Sequence, residues 1–173
     1  HFGFRKITVE RPLRLNFRAS PERIARLEEE KAFQALAQSK KKGAAGAKEQ
    51  AEGRALQDAI RALVRALPGA VFKDRAEFER VLDASASKAG LKLPAPGRKA
   101  ILSALSERDD TAAICRDKDG NPEPDPELRD TESVPLPAGD DPADAEGVPA
   151  SVRDFFEREV RPHVEDAWID TSK

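Results

Sequence analysis

A chain of 173 residues, 39% hydrophobic and 36% charged, allows one medium domain or two small ones around a modest core, since alanine supplies much of the apolar fraction. The one cysteine, Cys115, excludes an internal disulfide or a thiolate metal cluster and favours a reducing, cytoplasmic setting, and no apolar run approaches the roughly 20 residues that span a bilayer. The net charge of −2 conceals an asymmetry: residues 1–54 carry 13 Lys and Arg against 7 Asp and Glu, whereas residues 117–146 carry 2 against 11.

Residues 4–17 read as extended. Phe4, Ile7, Val9, Leu13, Leu15 and Phe17 are apolar, and from Leu13 to Phe17 they alternate with Arg14 and Asn16, as on a half-buried strand. Pro12 cannot donate to a ladder, so two short strands are expected. Ser20 caps and Pro21 opens a helix expected to run to about Gln38. Its apolar residues fall in two clusters, Ile24 with Leu27 and Phe33 with Leu36, separated by Glu28, Glu29 and Glu30. Residues 39–53 hold three glycines, a lysine run and no large apolar side chain, and read as a mobile connection or a frayed helical end.

The clearest helix follows. Leu56, Ala59, Ile60, Leu63, Val64 and Leu67 recur with a 3.6-residue period until Pro68–Gly69. Asp74 caps a helix over about 75–89 that turns Phe78, Val81, Leu82 and Ala89 inward and ends before Gly90. A short helix over about 97–106 presents Ala100, Ile101, Ala104 and Leu105. The expected fold class is mainly α: a small helical bundle (about 54–106) flanked by two short N-terminal strands and a C-terminal helix. Residues 111–116 read as a short strand and Asp119–Gly120 as a tight turn. Residues 121–149, with seven prolines, read as an irregular acidic tether before a last helix over about 150–161. That helix points Val152, Phe155, Phe156 and Val160 one way, and Trp168 and Ile169 follow as a short apolar patch. The expected divisions are thus 1–19, 20–53, 54–116, 117–149 and 150–173.

Few residues carry chemistry. The segment 117–127 suggests a calcium loop, but its glycine, Gly120, stands at position four rather than six, and Pro122, Pro124 and Pro126 prevent a helix from following in register; a solvated turn is the better reading. His1 and His163 have no cysteine or carboxylate at ligand spacing, and neither a nucleophile elbow nor a phosphate-binding glycine loop occurs. Arg5, Lys6, Arg11, Arg14 and Arg18 share the extended segment and are candidates for phosphate contact, or else form a charged outer sheet face. Lys40–Lys42 read as solvated linker charge rather than a contact surface. Phe155, Phe156 and Trp168 either pin the last helix to the body or anchor a partner subunit.

Two long blocks carry a resemblance. The first is F-G-F-R-K-I-T-V-E-R-P-L-R-L-N-F, residues 2–17; the second is P-D-P-E-L-R-D-T-E-S-V-P-L (124–136) followed by F-F-E-R-E-V-R-P-H-V-E-D-A-W-I-D (155–170). In the same order they resemble the region after the catalytic core in the M (modification) subunits of type I restriction–modification systems, the N-6 DNA methylase family. The stretch 20–116 between them carries no recognised motif. The absence of methionine and the start at His1 fit the expectation of a piece of a longer protein, its residues 1–19 ending the methyltransferase sheet region.

The resemblance implies a full chain whose Rossmann-type α/β domain binds S-adenosylmethionine on a glycine-rich turn and holds a flipped-out adenine in an Asn-Pro-Pro-Phe loop, methylating N6. Those elements are missing here: Asn121–Pro122 runs into Glu123–Pro124, with no aromatic to stack on a base, so no catalytic or cofactor-binding residue is assigned. The resemblance also implies an assembly of two M subunits with a specificity subunit, restriction subunits and double-stranded DNA, in which this region is scaffold and clamp. The alternative is a free-standing helical protein-interaction module without a DNA role.

Overall fold

The structure, a computed structural model, describes residues 3–172. Along it run β1 (Phe4–Glu10), β2 (Leu15–Phe17), α1 (Pro21–Ala25), a 3-10 turn (Arg26–Glu29), α2 (Lys31–Ala35), α3 (Gly43–Ala66), α4 (Arg75–Lys88), α5 (Ala95–Leu105), β3 (Ser106–Arg108), β4 (Asp130–Pro135), α6 (Ala150–Phe155), a π-helical turn (Phe156–Val160) and β5 (Trp168–Ile169). They form two compact units: one is Arg14–Ala113, the other joins His1–Leu13 to Ile114–Lys173. The expectation of a mainly α chain is corrected to mixed α/β. Beside the helices lie a three-stranded antiparallel sheet, β4-β1-β5, and a two-stranded ribbon, β2-β3.

The unit Arg14–Ala113 is built on α3. Its second half buries the predicted stripe, with Ile60, Leu63 and Val64 packed against Phe78 and Leu82 of α4 and Ala100, Ile101 and Leu105 of α5. Its first half corrects the reading of 39–53 as mobile or frayed, for the helix begins at Gly43. Alanine favours helix, and the glycines are packing positions rather than spacers. A Cβ on Gly53 would lie 1.9 Å from the Leu36 carbonyl oxygen, and one on Gly46 2.1 Å from that of Lys41.

The single helix expected from Ser20 to Gln38 is also corrected. Ser20 accepts the Arg23 amide as predicted, but Glu30 is extended, with φ −70° and ψ 118°, and splits the segment. The break lets Leu27 and Phe33, six residues apart and off any common helical face, both reach the core. Phe17 on β2 stacks on Phe78 with ring centroids 4.9 Å apart. The short strand expected over 111–116 lies instead at Ser106–Arg108, paired with β2 in the register Leu15↔Arg108 to Phe17↔Ser106.

In the other unit β1 is the central strand. It pairs along its length with β4, from Phe4↔Pro135 to Val9↔Asp130, and at its end with β5, Val9↔Ile169 and Glu10↔Trp168. The stretch 121–149 is therefore not an irregular tether throughout, since β4 lies inside it. Ile7, Val9 and Val134 face Val152, Phe156 and Val160 across one core. The last helix changes pitch midway. Residues four apart drift around an ideal α-helix, and the wider π turn, closed by the Arg161 amide on the Phe156 carbonyl at 2.9 Å, keeps all three on the sheet. Leu13 donates to Glu123 and accepts from Cys115, both at 2.8 Å.

Candidate functional site

β1 alternates, so Arg5 shares the face of Ile7 and Val9 while Lys6 lies on the opposite, exposed face. Arg5 Nη1 donates to Asp141 Oδ2 at 2.8 Å. The same carboxylate accepts the Ser151 amide at 2.8 Å and its hydroxyl at 2.7 Å. These Ser151 bonds, then Arg5, hold the Asp141 carboxyl below its ordinary range. Arg11 Nε is buried without a hydrogen bond, 3.7 Å from Asp166 Oδ1. Arg14 donates to the Ala112 carbonyl at 2.9 Å, and the exposed Arg18 to the Gly69 carbonyl at 3.2 Å.

The five candidates divide between the two units. Arg5, Lys6 and Arg11 belong to one unit, Arg14 and Arg18 to the other; Arg5, Arg14 and Arg18 donate to a carboxylate or carbonyl, and Arg11 stands within ion-pair distance of Asp166. Charge follows the units rather than the strand segment. Arg14–Ala113 holds 20 Lys and Arg against 14 Asp and Glu; the remaining residues hold 10 against 18. The unit Arg14–Ala113, which holds most of residues 1–54, thus carries a net charge of +6.

Of the aromatic candidates, Phe156 is 1% exposed in the core beneath the sheet. Phe155 is half-buried against that core, and Trp168 is half-buried opposite Glu10. All three help hold the last helix and strand to their own unit. Glu10 is a buried carboxylate that sequence pattern does not reveal: it alternates as an outer-face residue, yet accepts Arg129 Nε at 2.7 Å. Arg23 is likewise buried, giving Nη1 to Asn16 Oδ1 at 2.7 Å and to the Leu105 carbonyl at 3.0 Å, and Nη2 to Glu107 at 2.8 Å. The Glu107 carboxyl is held below its ordinary range by Arg26 and then Arg23. Arg23 sits one residue off the apolar pattern of α1, so only three-dimensional packing identifies it.

The acidic turn is satisfied by its own backbone. Asp117 Oδ1 accepts the Asp119 and Asn121 amides, each at 2.9 Å, and Gly120 turns the chain at φ +82°. Among the described residues no group of three or more His, Cys, Asp or Glu side chains is placed to hold a metal ion. His163 is exposed and Cys115 buried; His1 and Phe2 lie outside the described residues. A groove of about 770 Å³ runs between α3 and α4, lined by Ala59, Ala62, Leu63, Ala66 and Leu91 with Lys88 at its edge. It contains no paired acid and base.

The chain has no significant match among family models, curated proteins or solved structures. No helix among the described residues is long and apolar enough to cross a membrane. The parallel sheet that the resemblance associates with S-adenosylmethionine is not found among the described residues. The resemblance places that cofactor on a glycine-rich turn after a parallel strand, and all named strands here pair antiparallel.

Proposed function

We propose that this chain is the scaffold and clamp region of the M subunit of a type I restriction–modification enzyme. The full polypeptide of such a subunit acts in the cytoplasm with S-adenosylmethionine, methylating adenine N6 in duplex DNA beside a specificity subunit, a second M subunit and restriction subunits. One observation carries the reading. The segments that bear the resemblance, 2–17, 124–136 and 155–170, are separated by up to more than a hundred residues, yet β1, β4 and β5 from these blocks are neighbours in one sheet. Most of the stretch without recognised motif, 20–113, lies in the other compact unit, Arg14–Ala113, which also takes in residues 14–17 of the first block. A sheet assembled from distant blocks of one pattern supports treating those blocks as one structural unit of the family.

In this reading the pocket for cofactor and adenine lies elsewhere in the polypeptide. The sheet unit braces its neighbours, and the cationic helical unit contributes affinity for phosphate without reading sequence. The upstream coding sequence tests the proposal. It is expected to contain a glycine-rich cofactor motif and an Asn-Pro-Pro-Phe loop, and the full product with its specificity subunit is expected to transfer methyl groups to adenine. A native protein that starts near residue 1, or a full product without that pocket, overturns it.

The self-contained core of Arg14–Ala113 favours a second reading, a helical protein-interaction module without a DNA role. That reading requires the chain to ignore duplex DNA even at low salt.

A further inference from the structure

The lysine run 40–42 is held in place rather than tethered loosely. Ser39 donates its hydroxyl to Glu49 and accepts the Lys41 amide at 3.1 Å. Lys41 Nζ stands 3.7 Å from Glu49 Oε1. The Lys41 carbonyl lies so close to Gly46 that no side chain fits between them, and Gly43 turns the chain into α3 at φ +68°. A tight turn thus presents three consecutive lysines, all exposed, with Lys48 close by on α3.

The two nearby carboxylates, Glu49 and Glu52, are already within 3.7 and 3.9 Å of Lys41 and Lys48. Among the described residues neither Lys40 nor Lys42 has an ion-pair partner. The turn belongs to the unit of positive net charge, whereas Arg5 and Arg11 face carboxylates in the acidic one. Residues 39–53 contain no large apolar side chain, so the surface offers nothing to insert between base steps or into a lipid layer.

From this geometry we infer that the lysine turn 39–43 is a docking surface for the phosphate backbone of duplex DNA. The inference rests on the M-subunit reading for its choice of DNA as the polyanion. An anchored turn fixes the backbone positions from which the lysines project, so less backbone freedom is lost on contact than from a floppy linker.

The test is a fluorescence-anisotropy titration of the whole chain with a labelled duplex of about 20 base pairs, at about 50 and 200 mM salt. Replacing Lys40, Lys41 and Lys42 by alanine is expected to weaken binding more than about tenfold at the lower salt. It should also reduce the slope of log affinity against log salt by about one per lysine engaged. Lys40→Gln with Lys42→Gln, which spares the Lys41–Glu49 pair, should move in the same direction with unchanged far-UV circular dichroism. Alanine at Lys88, Lys92 and Lys99 removes the same charge from the same unit and should change binding by less than about twofold. Equal losses from the two triple variants, no binding by the unmodified chain, or tighter binding to anionic phospholipid vesicles than to DNA would each overturn the inference. The upstream coding sequence decides the M-subunit reading whichever way this titration falls.

Discussion

At Asp109 several donors converge on one carboxylate. The Thr111 amide and hydroxyl reach Oδ1 at 2.9 and 2.6 Å, Asn16 Nδ2 reaches Oδ2 at 3.0 Å, and Lys73 Nζ stands 4.0 Å away. The Thr111 hydroxyl first, then Asn16, lower its pKa from 3.8 to about 2. Because the folded value lies below the unfolded one, this carboxylate stabilises the fold above about pH 4, and the stabilisation is lost as pH falls toward 2. Asp109→Asn should therefore flatten the acid side of the stability profile, read as the urea midpoint at neutral pH and near pH 2.5. A variant that loses as much stability on acidification as the parent chain would count against this assignment. Arg23 is tolerated in the interior because Asn16, the Leu105 carbonyl and Glu107 occupy its donors. The sequence pattern marked Arg5, Lys6, Arg11, Arg14 and Arg18 because they stand in one extended run. It did not mark Arg23, two of whose three partners lie some eighty residues away, or Glu10, whose partner lies more than a hundred residues away.

Among the elements, legibility tracks how local the stabilising contacts are. The second half of α3, α4 with its Asp74 cap and Gly90 stop, and α5 could be read because periodicity and caps are written within a few residues. β4 could not: its acidic, proline-rich surroundings look unstructured, and its partner β1 lies some 120 residues earlier. The first half of α3 was obscured for another reason. Glycine reads as a breaker unless a neighbouring backbone must come close, and at Gly53 the Leu36 carbonyl does. Gly53→Ala in a solvated helix would stabilise by about 0.5–1 kcal/mol. Here the added methyl meets backbone, and the expected outcome is a loss of about 1–3 kcal/mol in the denaturant midpoint analysis. Gly69→Ala, where a Cβ meets nothing within 4 Å, serves as the control. A stabilised Gly53→Ala protein would show that the 43–53 segment packs more loosely than its contacts indicate.

For the whole molecule, the decisive feature is that Leu13 and Cys115 are joined by a 2.8 Å backbone hydrogen bond although about a hundred residues separate them. Replacing residues 14–113 by a short Asn-Gly-type turn should leave β1, β4 and β5 paired. Trp168, the one tryptophan, sits in β5, so its near-ultraviolet dichroism and emission report on the sheet unit alone. Native-like signals from the shortened chain are the expected result; a fluctuating, solvent-exposed Trp168 would show that the sheet cannot stand without the helices. The same junction bears on variation. An unstructured loop of a hundred residues costs about 2 kcal/mol more to close than one of ten, whereas a folded insert whose ends already meet offsets that penalty by itself. The segment between Leu13 and Ile114 is therefore a socket: its contents are free to change in length and composition while strand register stays put. Kindred chains are expected to diverge most there, which an alignment of them would check.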